Sequence, residues 1–300
     1  MPYDFILSSG VTSNGRTVHY AQLNGTAEPK FTIGNRTKYG NFCGLINTQA
    51  VPGLIYDPAH YATEFGFWAY FLYPTAIAES KGSYLCLNSY DKAKFTFSFM
   101  QYAAHVANGD FVKFLRKLLA LPNAPEYFPK LLLKDGRICY KNPDGTLKQL
   151  ETNLSTQALM DYFNPSLDDV ETQELICSAR MIHWASNDAA HRRIQVETAI
   201  EHYRNKMAEY SKLFHLDGVP AKVCLMVSDI RHQGRGMNPQ IAQALNTAGN
   251  YELAFTNLCS IGAEKYLTRI NTVKATIEKL LAAGTYHKKY DAASATFVAI

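Results

Sequence analysis

From residue 153 onward the chain is helical in pattern almost without a break, and this constrains the fold more than any single motif. Apolar side chains recur every three to four residues over 156–163, 168–185, 189–214, 220–231, 238–245, 251–260 and 266–283. That spacing keeps them on one face of an α-helix. The first 55 residues have another texture. Gly10, Asn14-Gly15, Asn24-Gly25 and Gly34-Asn35 punctuate short runs such as 17–23 and 30–33, so strands and turns are expected. Asp57-Pro58 marks the change. The expectation is a mainly α protein of the α+β class, with a small β-rich segment over 1–55 and one helical domain over 56–300.

Residues 60–73 carry Phe65, Trp68, Phe71 and Leu72 at helical spacing. Pro74 is expected to interrupt that helix, with a short turn of helix over 75–80 ended by Gly82. Residues 83–88 and 94–99 suit strands, and Ser89-Tyr90-Asp91-Lys92 is the turn between them. A new helix is expected to open at Met100-Gln101 and run to residue 121, as one helix or as two pieces divided near Asn108-Gly109. Asp135-Gly136 and Asp144-Gly145 imply a second hairpin within 131–151, and the tail after Gly284 reads as a loop with a final extended piece.

This order sets a single carboxylic acid, Glu79, at the end of an apolar run and at the mouth of a hairpin. A carboxyl there can protonate a glycosidic oxygen, and its neighbours Ala76-Ile77-Ala78 favour the uncharged form. Inverting cleavage needs a second carboxylate roughly 6–10 Å away. Asp91 in the turn is the candidate, helped by Thr96, with Ser98 on the return strand positioning water. Gln101 and His105, one turn apart, would line the cleft. The plainer readings are a solvated helix-end Glu79 and a turn-forming Asp91. Downstream, Arg231, His232 and Arg235 form a polar cluster with Asp229. They could bind carboxylates of a substrate, or they could simply complement a helix dipole.

The stretch AIAESKGSYLCLNSYDKAKFTFSFMQYAAH (76–105) resembles the lysozyme-like superfamily. In its lytic transglycosylases a Glu-Ser at a helix end precedes a hairpin and a Gly-Leu-Met-Gln-type helix start. Glu79-Ser80 and Met100-Gln101 match in order, with a longer hairpin and Ser98 in place of the small Gly. LMVSDIRHQGRG (225–236) is similar to the phage-type lysozyme segment in which an apolar helix runs into Asn-x-Gly, although His232-Gln233 stands where that Asn would be. ALNTAGNY (244–251) resembles its Leu-Asn-x-Gly-Asp-Tyr element, and YLTRINTV (266–273) its closing Arg-rich helix. The resemblance implies a lysozyme-like fold with a catalytic β-hairpin and an enlarged helical lobe, and Glu79 as the general acid. It implies a muramidase-type hydrolase of β-1,4 bonds in peptidoglycan glycan strands. Chitosanases and cell-wall-degrading type VI secretion effector domains are among the larger relatives.

Composition agrees with a globular domain: 47% hydrophobic, 19% charged. A net charge of +4 is too mild for nucleic acid, suits an anionic polymer and weighs against chitosan. The six cysteines include no C-x-x-C pair, so buried thiols in a reducing cytoplasm are expected. Cys43, in Asn41-Phe42-Cys43-Gly44-Leu45, faintly resembles the nucleophile segment of cell-wall cysteine peptidases and amidases, with His60 or His105 as partner. A non-catalytic wall-binding protein is the third class. No metal or organic cofactor is implied, and no membrane span is expected. No signal peptide is read at the N-terminus, so delivery to the wall by lysis, phage or a secretion machine is expected, with an immunity protein as a conjectural partner.

Overall fold

Turn chemistry at three short loops sets the N-terminal topology. In the computed structural model, which describes residues 2–300, β1 (Phe5–Val11) returns as β2 (Thr17–Leu23) past Gly15, at φ 78°. β2 returns as β3 (Phe31–Tyr39) past Gly25, and β3 as β4 (Phe42–Asn47) past Gly40, again at positive φ. Glycine enters that region without a Cβ penalty. Gly10 and Gly34, expected in turns, lie instead inside β1 and β3. A Cβ on Gly34 would sit 2.9 Å from the Ile46 carbonyl oxygen, so close strand approach explains that glycine.

The chain forms two compact units. The first joins the residues up to Ile55 with Ser83–Thr198, and the second joins Tyr56–Gly82 with Ala199–Ile300. The expected division at 55/56 is therefore one crossing, followed by others at 82/83 and 198/199.

The excursion 56–82 belongs to unit two and holds α1 (Ala62–Phe65) and α2 (Phe67–Ser80). Pro74 does not break α2: the helix runs through it, with Pro74 buried. A proline there removes one helical donor. The packing of Trp68, Phe71 and Leu72, all buried, outweighs that loss.

In unit one, β5 (Leu87–Asn88), β6 (Thr96–Phe97) and β7 (Tyr102–Ala103) extend the N-terminal meander into a seven-stranded antiparallel sheet, in sequence order. The expected hairpin is present but shorter than 83–88 and 94–99: only Leu87 opposite Phe97 and Asn88 opposite Thr96 pair. The helix expected at Met100-Gln101 is not. Ser98 and Gln101 have φ of 97° and 56°, outside the right-handed helical region, and the next helix, α3 (Asp110–Leu119), begins later. After α4 (Ala124–Tyr127), β8 (Leu131–Lys134), β9 (Arg137–Lys141) and β10 (Leu147–Gln149) make a second sheet, and α5 (Gln157–Phe163) and α6 (Thr172–Asn187) follow. Phe95, Phe97, Phe111, Phe114 and Phe163 are fully buried, with the Phe95 and Phe163 rings 4.6 Å apart.

α7 (Ala189–Phe214) is divided between the units at Thr198. Unit two continues with α8 (Ala221–Gln233), α9 (Asn238–Leu245), α10 (Tyr251–Ser260), α11 (Ala263–Ala282) and the hairpin β11 (Lys288–Asp291) and β12 (Thr296–Ala299). Its core is aromatic: Phe71 and Phe297 lie 4.6 Å apart, and the Tyr286 hydroxyl donates to the Phe71 carbonyl at 2.7 Å. All six cysteines are unbonded and five are buried. None of the described helices is long and apolar enough to cross a membrane.

Candidate functional site

Glu79 is held by the way α2 ends. Lys81 adopts the left-handed conformation, its N–H returns to Ile77 and the Gly82 N–H returns to Ala76. This closure satisfies the last carbonyls and stops the helix one turn past Ala76. Thr75 and Glu79, four residues apart, then share a face.

That face meets a network from α8, its following loop and α11. Glu79 Oε2 accepts from Arg269 Nη1, and Arg269 Nη2 donates to Asp229 Oδ1 at 2.9 Å. Asp229 also accepts from Thr75 Oγ1 at 3.0 Å and, through Oδ2, from Arg235. His232 Nε2 lies 3.8 Å from Glu79 Oε2. Two carboxylates thus face two guanidiniums. Burial alone would lift the Asp229 carboxyl, but Arg269 and Arg235 outweigh it and hold it below the usual range. Burial likewise opposes the charge on Arg269, and Asp229 and Glu79 overcome it. The surroundings of His232 lower its pKa by desolvation, against the pull of Glu79, so the ring is neutral at neutral pH.

Exposure divides the cluster. The side chains of Asp229 and Arg235 are completely buried, so Arg235 cannot contact a substrate and serves as a counter-ion. Glu79 keeps 21% of its side-chain surface exposed and His232 keeps 22%. Arg231 is half-buried and hydrogen-bonds to Tyr210. Glu79 is thus the carboxylate of this network that solvent reaches. Asp229 and Arg269 complete the arrangement. Their placement was hidden in the sequence, although the Thr75/Glu79 and Asp229/His232 spacings are those of shared helix faces.

The residues expected around the hairpin belong to unit one, whereas Glu79 belongs to unit two. Asp91 is a turn residue: Oδ1 accepts from the Ala93 N–H at 2.8 Å and Oδ2 from Asn88 Nδ2 at 3.1 Å. Thr96 is 5% exposed and Ser98 is fully buried, its hydroxyl accepting from the Met100 N–H, so neither is open to position water. Gln101 Nε2 donates to the Ser98 carbonyl. His105 is exposed, but it does not share a helix with Gln101, which lies in a turn.

Cys43 is 1% exposed. Burial pushes its thiol up, and its sulfur donates to Asp169, which is itself paired with Arg36 at 2.8 Å. A nucleophilic cysteine needs the opposite shift and an open approach. No group of three or more His, Cys, Asp or Glu among the described residues is arranged to hold a metal ion.

No protein-family model, curated protein or solved structure matches the chain.

Proposed function

We propose that the protein cleaves glycan strands of peptidoglycan, with Glu79 as the proton-transferring carboxyl and a lysozyme-like arrangement around it. One observation carries the reading. Glu79 closes an apolar helix with part of its carboxyl open to solvent, and an antiparallel pair, Leu87–Asn88 with Thr96–Phe97, follows along the chain as in the resemblance, although the helix start at Met100-Gln101 that would complete the order is absent. To donate a proton, Glu79 must release Arg269. The guanidinium already has a second partner in Asp229, so it has somewhere to go. A saccharide covering the open face would exclude water from the site. Asp229, buried and doubly paired, cannot serve as the second catalytic acid. Glu79 therefore acts without a second protein carboxylate from this network. Action on the wall, delivery by lysis or secretion and an immunity protein belong to the same proposal.

Purified sacculi incubated with wild type, Glu79→Gln and Cys43→Ala test it, with mass analysis of the fragments. New glycan ends, hydrated or anhydro, that vanish in Glu79→Gln alone are the expected result. Free amino groups without new glycan ends would replace it with a peptidase. Binding without fragments in every variant would leave a wall-binding protein. Activity on chitosan but not sacculi would move the substrate to glucosamine polymers.

A further inference from the structure

Unit one contains a cleft of about 840 Å³, a volume suited to a small ligand and lined by residues of β9, β10, α5 and α6. Its chemistry is uneven in a specific way. Lys130, Lys148 and Arg180 contribute positive charge, and the one acid, Asp161, is already engaged by Lys94 and by Gln157 Nε2 at 2.9 Å. The cleft therefore favours an anion. Arg180 lies with its guanidinium carbon 5.8 Å from the Phe128 ring centroid and hydrogen-bonds to Tyr162, while its Nε is buried without a hydrogen-bond partner among the described residues. A carboxylate or a phosphate matches the donor fork of a guanidinium.

The neutral groups narrow the ligand further. The Nε2 donors of Gln157 and Gln173 are directed to Asp161 and the Tyr162 carbonyl. Gln173 uses both N–H groups, the second on Cys177 Sγ, and Gln157 keeps one; the carbonyl oxygens of both remain to accept from hydroxyl or N–H donors of a ligand. The Tyr140 and Tyr162 rings stand 5.8 Å apart at 56° and supply flat apolar surface. A carboxylate, several hydroxyls and a flat C–H face together describe an acidic sugar. We propose that this cleft binds a carboxylate-bearing saccharide, its acid group toward Arg180 and Lys148 and its ring against Tyr140.

The test is calorimetric titration of the full chain carrying Glu79→Gln, so that no cleavage accompanies binding. The probes are a short oligogalacturonate, its methyl-esterified form and inorganic phosphate. The acidic sugar should bind about tenfold or more tightly than the ester, and phosphate should not displace it. Tyr140→Ala and Lys148→Glu should each weaken binding about tenfold with an unchanged circular dichroism spectrum, and Arg180→Gln should do the same. The proposal is overturned if the acid and its ester bind alike, if neither binds at millimolar concentration, if phosphate competes, or if Tyr140→Ala and Lys148→Glu leave affinity unmoved. Because the readout is binding without turnover, it is independent of the catalytic role proposed for Glu79.

Discussion

The guanidinium of Arg269 holds Glu79 with one nitrogen and spends the other on the buried Asp229. One residue of α11 therefore fixes both the half-open carboxylate at the end of α2 and the buried one on α8. The two ends of the bridge differ in consequence, because one partner is hydrated and the other is not. Removing Arg269 would leave a buried charge with fewer partners, whereas removing the charge of Glu79 leaves a guanidinium that still has Asp229.

Arg269→Gln should therefore destabilise the protein by about 3 kcal/mol, as expected for breaking a buried ion pair, and Glu79→Gln by about 1 kcal/mol. Urea unfolding of the two variants and their double mutant checks the order. Equal losses would remove the distinction between the two ends.

Glu174 carries a pH signature. It is fully buried, accepts a hydrogen bond from Ser89, and burial raises its pKa to about 7 against that bond. A carboxyl raised in the folded state contributes stability that is fully present below its unfolded value and is lost as pH rises through the folded value. Stability should thus fall by about 3 kcal/mol between pH 4.5 and about 7, from this group alone. In Glu174→Gln that slope should disappear from the denaturation midpoints measured across the range.

His191 acts in the opposite sense. It is fully buried among Phe97, Phe114 and Trp184, and burial lowers its pKa to about 3. Its contribution is present above the unfolded value of 6.5 and is lost as pH falls toward about 3. His191→Gln should shift the acid-unfolding midpoint downward by roughly one pH unit relative to its own neutral-pH stability. A midpoint unchanged on that scale would mean that other groups govern acid unfolding.

Gly44 has no room for a side chain. A Cβ would sit 2.6 Å from the Ser89 carbonyl oxygen, a backbone atom that cannot turn away. Gly44→Ala should cost about 3 kcal/mol, the upper part of the overpacking range, and lower the midpoint of thermal unfolding. The same substitution at Gly53, where no atom beyond its chain neighbours lies within 4 Å of the added carbon, meets no clash but must adopt a φ of 81°. Its loss should be the smaller of the two.

Thiol labelling separates the cysteines. Cys259 is half-buried and the other five are buried. A maleimide should modify Cys259 first in the native protein, and Cys43 only on unfolding. Early labelling of Cys43 would revive the cysteine-peptidase reading.

Much of the helical part was legible because its signal is local. The spans 189–214, 238–245 and 251–260 match α7, α9 and α10 residue for residue, since their caps and periodic apolar positions lie within the segment itself. The 87–88/96–97 pair was legible for the same reason: alternation flanks a polar turn. Pro74 and Met100-Gln101 depart from the local expectation because tertiary contacts override local preference. Buried aromatics carry α2 through its proline, while Tyr102 pairs in β7 and donates its hydroxyl to the Gln195 carbonyl rather than starting a helix.

The end of α2 just past Glu79 could be read from Gly82. The partners of Glu79 could not. Arg269 stands 190 residues away, Asp229 stands 154 from Thr75, and the polar pattern around Arg231, His232 and Arg235 gave no sign of which side chain would be buried. The crossing at 55/56 could be read from the change of texture, but the return at 82/83 could not, nor could the cleft bounded by Tyr140, Tyr162 and Arg180. Local periodicity and turn chemistry decide where helices and strands form, because those energies act within a few residues. Charge pairing and desolvation act between residues that only the folded chain brings together, so the tertiary structure alone decided which carboxylate stays open and which is sealed.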